Sequence, residues 1–150
     1  MELSKIKVDL DKVDNGEWIA DLPDSEGLRV KVRGITSLAY QKAMMQRRNA
    51  VPRSERLPDG DLPAEVDFRI VGEAYADAVL LDWDGLTSDG KPVPYSKEMA
   101  RELMTDRAYL RFRAVVMWAA LRVGENRAVV TETIMGNSES FSNGTDPTGT

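Results

Sequence analysis

Between Lys5 and Leu10 polar and apolar residues alternate, Lys-Ile-Lys-Val-Asp-Leu, so an extended chain would carry Ile6, Val8 and Leu10 on one side. The same period of two returns at Glu17 to Leu22, with Trp18 and Ile19 on opposite faces. It returns again at Leu28 to Val32, where Leu28, Val30 and Val32 oppose Arg29, Lys31 and Arg33. Turn formers separate these runs: Asp14-Asn15-Gly16 first, then Pro23-Asp24-Ser25-Glu26-Gly27. The pattern predicts an antiparallel hairpin with a wet, basic face. Two strands are marginal alone, so the apolar face must pack on helices or on a partner.

Past Gly34 the spacing becomes helical. Thr36 or Ser37 can cap a helix from Leu38 to about Ala50, which Val51-Pro52 stops. Pro52 to Pro63 reads as an exposed loop. A second helix is expected from Ala64 to Leu81, with a stripe of Val66, Ile70, Ala74 and Ala78 that Val71, Tyr75 and Val79 widen. Asp82 to Tyr95 reads as irregular. Ser96 can cap a short helix, Lys97 to Met104, and Thr105 or Asp106 a last one, Arg107 to about Ala128. In that last helix Phe112, Val115, Val116, Ala119, Ala120 and Val123 recur at helical spacing, and Gly124 is a candidate for its end. From Ile134 the chain is mostly Ser, Thr, Gly and Asn, too polar to offset its ordering entropy. The expectation is an α+β fold: an N-terminal antiparallel β-hairpin followed by about four α-helices. It would form one globular domain over residues 1–133, with a flexible polar tail over 134–150.

Composition narrows the chemistry. The chain has no Cys and no His, which removes disulfides, thiolate metal sites and the commonest proton-transfer and metal-binding side chain. Asp82, Asp84 and Asp89 with Gly85 and Gly90 suggest a calcium loop, but Leu86, Thr87 and Val93 stand where an EF-hand needs its ligand, glycine and glutamate. Phosphate-binding and nucleophile-elbow motifs are absent. No enzyme activity and no cofactor are expected. No apolar run reaches the ~20 residues of a membrane span, and Met-Glu-Leu-Ser-Lys is no signal peptide. A cytoplasmic protein is therefore expected.

The net charge of −5 disfavours a general nucleic-acid binder. The charge is also segregated. Arg29 to Arg56 holds eight bases and one acid, whereas Asp59 to Asp89 holds nine acids and one base. Two solvated faces are one explanation; complementary ends that favour head-to-tail self-association are another.

Two blocks resemble a known family. The first is Gly16-Glu17-Trp18-Ile19, a turn, then Leu28 to Gly34, leading to Tyr40. The second is Val79-Leu80-Leu81-Asp82-Trp83-Asp84-Gly85-Leu86, then Asp89 to Ser96, then a leucine-bearing helix and Asp106. Together with the polar end at Asn137 to Ser140, these resemble the tail assembly chaperones of long, non-contractile-tailed bacteriophages. The resemblance implies a protein of the host cytoplasm that coats the helical tape measure protein, gives way to tail tube protein, and is absent from the finished virion. It implies no catalytic residue.

Tryptophans serve as interface anchors as well as core, and Met44-Met45 suits an adaptable contact. The candidate partner-binding residues are Met44, Met45, Tyr40, Trp18 and Trp83. Two alternatives are another phage morphogenesis component, such as a head–tail connector, and a nucleic-acid-binding regulator using Arg29 to Arg56.

Overall fold

The computed structural model describes residues 1–125, so the predicted tail over 134–150 lies outside the described residues. Leu10–Gly124 form one compact unit. Met1–Asp9 fall outside that unit and carry one helical turn, α1 (Leu3–Ile6), with no buried residue. The alternating run at Lys5 to Leu10 is therefore not a strand. Alternation shows which side chains would share a face if the backbone were extended, but an extended backbone needs a ladder partner. Among the described residues no strand pairs with this run.

The compact unit opens with α2 (Leu10–Asn15), which buries Val13. It ends at Gly16, whose φ of +103° carries the chain into the sheet. Strands β1 (Glu17–Ile19) and β2 (Arg29–Val32) form the predicted antiparallel pair, with Glu17 opposite Val32 and Ile19 opposite Val30. The inward side chains Ile19, Val30 and Val32 are buried, as the alternation requires.

The sheet has a third strand that the pattern missed. The helix expected to reach Leu81 runs only as α4 (Ala64–Ala74), widens into a π turn at Tyr75–Val79, and gives way to β3 (Leu80–Asp84). β3 pairs antiparallel with the free edge of β2, with Trp83 opposite Val30. The predicted stripe Val66, Ile70, Ala74, Ala78 is buried regardless. Val79-Leu80-Leu81 is a short apolar run, which periodicity assigns equally to helix or strand. What decides it is the unpaired edge of β2. The segment after β3 is also less irregular than predicted. Asp89 and Gly90, with φ of 51° and 76°, close a small hairpin of β4 (Thr87–Ser88) and β5 (Lys91–Pro92).

The remaining helices follow their caps. The Ser37 hydroxyl accepts from the Tyr40 amide at 3.2 Å and starts α3 (Leu38–Ala50). Ser96 accepts from the Met99 amide at 3.0 Å and starts α5 (Lys97–Thr105). Asp106 accepts from the Ala108 amide, beginning a 3-10 turn that leads into α6 (Leu110–Arg122). Gly124, at φ +80°, marks the end of that helix, short of the expected Ala128.

The charge segregation along the chain becomes pairing in space. Arg47 of α3 donates to Glu73 at 2.9 Å and to Asp77, which also accepts from Arg101 at 2.8 Å. Arg48 faces Asp67 at 3.8 Å, and Arg29 faces Asp84 at 3.3 Å. Three of the eight bases, Arg29, Arg47 and Arg48, thus meet the acidic stretch within one molecule.

Candidate partner-binding surface

Helix α6 is apolar on two sides, and among the described residues only one of them is sealed. On the inner side Val116, Ala119 and Ala120 are buried in the main core with Val30, Val32 and Met104. Arg113 sits on the same side, only 7% exposed. Its Nη1 donates to the carbonyls of Phe68 and Met104, both at 2.8 Å, and its guanidinium lies 3.8 Å from the Phe68 ring centroid. Burial pulls its pKa below the usual arginine value. Gly72 of α4 makes room for this seat: a Cβ there would stand 2.2 Å from the Met104 carbonyl oxygen and 2.7 Å from Arg113 Nη1.

On the outer side Leu110, Ala114, Trp118 and Leu121 fall on one stripe, spaced four, four and three residues apart. Leu110 is 45% and Leu121 58% exposed. Beside the stripe runs a groove of about 760 Å³. Arg111, Phe112, Val115 and Trp118 form one wall, the β1–β2 loop from Pro23 to Glu26 with Leu28 forms the other, and Gly85, Leu86 and Thr87 complete the lining.

Local chemistry shapes the loop wall. Asp21 and Asp24, at φ of 54° and 51°, take the left-handed conformation that aspartate tolerates better than most residues. The Ser25 hydroxyl donates to the Pro23 carbonyl at 2.9 Å. At the groove's end the β3–β4 turn comes so close that a Cβ on Gly85 would lie 2.0 Å from the Gly27 carbonyl oxygen. Asp24 and Glu26 stand exposed on the loop.

The structure does not gather the five candidates into one surface. Trp83 is a core residue, 4% exposed: its indole N–H donates to the Val93 carbonyl at 2.7 Å, and its ring packs edge-on against Tyr95 and Phe112. It supports the groove wall through Phe112 and has no surface to offer a partner. The alternation in β3 explains this, since Trp83 faces inward opposite Val30. Trp18 points to the outer face of the sheet, beneath the guanidinium of Arg29 at 4.5 Å. Tyr40 is half-buried edge-on against Tyr75, and burial raises its pKa. Met44 packs against the small cluster of Val51, Val66 and Ile70. Met45 is exposed, two turns from exposed Leu38 on α3.

The outer stripe of α6 and the Pro23 to Leu28 wall are what the sequence reading missed. The signal was available: from Leu110 to Arg122 the helix lacks a continuous polar face. Among the described residues no group of three or more acids could hold a metal ion, and no helix is long and apolar enough to cross a membrane.

A family model described as YdaY prophage protein matches residues 35–137. The chain belongs to that family. It is therefore a phage-derived protein. The matched stretch begins just before α3 and takes in everything through α6, including one wall of the groove. No curated protein and no solved structure matches the chain.

Proposed function

We propose that this protein is a phage tail assembly chaperone that works in the host cytoplasm, binds the tape measure protein along its helices, and yields to tail tube protein. The outer apolar side of α6, with the groove beside it, carries the proposal. A helix apolar on both sides is ordinarily covered on both sides. An amphipathic helix laid into an apolar groove is a recurring way to cover such a surface. Prophage-family membership supports a role in phage biology. The blocks at Gly16 to Tyr40 and Val79 to Ser96 add the specific resemblance to tail chaperones.

The groove is suited to repeated, releasable docking. Its apolar lining side chains are already half-buried, so a partner gains only about 25 cal/mol for each further Å² of apolar surface it covers. Several copies on one long helical track would gain avidity while each copy stays displaceable. Exposed Met45 and Leu38 offer a second, smaller apolar contact on α3.

Co-expression with the tape measure protein of the same phage tests the proposal. The expected result is a soluble complex holding many copies of this chain per tape measure, lost on Ala114→Asp or Leu121→Asp. An insoluble tape measure, or binding unchanged by both substitutions, would overturn it. Recovery of the protein from purified virions would favour a connector instead.

A further inference from the structure

We infer that α3 and the loop up to Pro63 form a hinged strap, latched by charge, which opens as one unit and uncovers Val66 and Ile70 while the sheet and α4 to α6 stay folded. Helices α4, α5 and α6 each bury three or four residues, whereas the thirteen residues of α3 bury none. The apolar contact that holds α3 down is small and separate from the main core: Met44, Val51 and Leu62 lie against Val66 and Ile70 of α4. An element with few buried apolar contacts belongs to the least stable part of a fold.

Charge supplies the rest of the attachment. Arg48 faces Asp67 at 3.8 Å and Glu55 faces Arg69 at 3.5 Å, all four side chains being about half exposed. Such pairs contribute little and are screened by salt. Arg47 is the latch, because it reaches both Glu73 near the end of α4 and Asp77 in the π turn. Asp77 keeps its pair with Arg101 of α5 when the strap lifts, so opening strands no carboxylate there.

The two ends of the strap are fixed differently. At the start Ser37 is buried, the Leu38 amide donates to Asp14 Oδ1 at 3.2 Å, and Tyr40 packs edge-on against Tyr75. This first turn is the hinge. At the far end Arg56 ties the loop to the helix: its guanidinium donates to the carbonyls of Arg48, Val51 and Gly60. Helix end and loop therefore move together. The strap operates whatever partner the α6 groove takes.

Amide exchange of the full-length chain tests the inference. Amides from Met44 to Arg48 should open at least about tenfold more often than those of β2 and α6. Dilute urea should speed their exchange, because opening exposes buried surface and fraying does not. Raised salt should speed it too, and Arg47→Gln should do so about fivefold. Val116→Ala, in the main core, should speed exchange in β2 and α6 and leave the strap amides unchanged, since the core is intact in the open form. The chain has no cysteine, so Ile70→Cys places a single thiol beneath the strap. A thiol reagent should label it at a rate that follows the strap amides, and faster than it labels Val30→Cys in the sheet. Strap amides that open only as often as β2, that ignore urea, or that respond to Val116→Ala as β2 does would overturn the inference. So would exchange unmoved by both salt and Arg47→Gln, or equal labelling at positions 70 and 30.

Discussion

On one side of α6, Val116, Ala119 and Ala120 are sealed in the core; on the other, Leu110, Ala114 and Leu121 meet solvent. Hydrophobicity does not separate the two sides. What separates them is Arg113. A buried guanidinium held by two carbonyls and stacked on Phe68 accepts one geometry, so α4, α5 and α6 meet in one way. On the outer side the guanidinium of Arg122 lies 3.6 Å from the Trp118 ring centroid and donates to the Trp118 carbonyl of the same helix, while Leu110, Ala114 and Leu121 stay exposed. That side offers apolar area without a register, which suits an occupant that arrives, slides or leaves. A polar seat makes an interface permanent and unique; its absence leaves an interface adaptable.

Five substitutions would break or sharpen that contrast. The largest effect is expected from Gly72→Ala, because the added methyl collides with backbone that cannot rotate away. It should cost about 3 kcal/mol, read by urea denaturation, and should loosen the inner side without touching the outer stripe. Arg113→Met follows. It keeps the bulk but strands the Phe68 and Met104 carbonyls, for a loss of about 2–3 kcal/mol. Arg113→Lys should recover only part of this, since an ammonium cannot both bridge the carbonyls and stack flat on the ring.

Tyr75→Phe should have a smaller effect and the opposite sign. The Tyr75 hydroxyl is buried without a hydrogen-bond partner, and burial raises its pKa well above the ordinary value near 10. The folded state therefore keeps the proton that the unfolded state loses. Below pH ~10 both states keep the proton and stability is unaffected; above it the unfolded chain ionises first and stability falls as pH rises, until the folded pKa is reached. Removing the hydroxyl should leave stability at pH 7 unchanged or raise it by about 1 kcal/mol, and should flatten the loss seen above pH ~10 in wild-type melts.

The smallest effect on stability is expected from Leu121→Asp on the outer stripe, within about 0.5 kcal/mol. Its effect on partner affinity should be large, at least about tenfold. A stability loss comparable to that of Arg113→Met would show that the outer side is ordinary core, and would end the contrast.

The α+β class, the β1–β2 pair, the helix start at Ser96, the starts at Ser37 and Asp106 to within one residue, and Gly124 as a candidate stop could be read from the chain. Each is decided within a few residues, by alternation, by a side-chain oxygen meeting an amide, or by a backbone angle that glycine adopts freely. Three things could not be read locally. Lys5 to Leu10 alternates like a strand but has no ladder partner among the described residues. Leu80 to Asp84 continues a helical stripe yet completes the edge of β2. The charges of Arg29 to Arg56 and Asp59 to Asp89 resemble two separate faces until α3 and α4 bring Arg47 to Glu73.

The candidate surface divides in the same way. By itself the sequence determined that α6 lacks a continuous polar face, that Trp18 and Ile19 lie on opposite faces of their strand, and that no histidine or cysteine chemistry is available. Only the tertiary structure decided which side of α6 is covered, that Trp83 is core, and that Gly85 and Gly27 bring a loop close enough to form a groove. Periodicity is a property of one element, whereas burial and concavity are properties of pairs of elements. The chain states the first directly and the second only after it has folded.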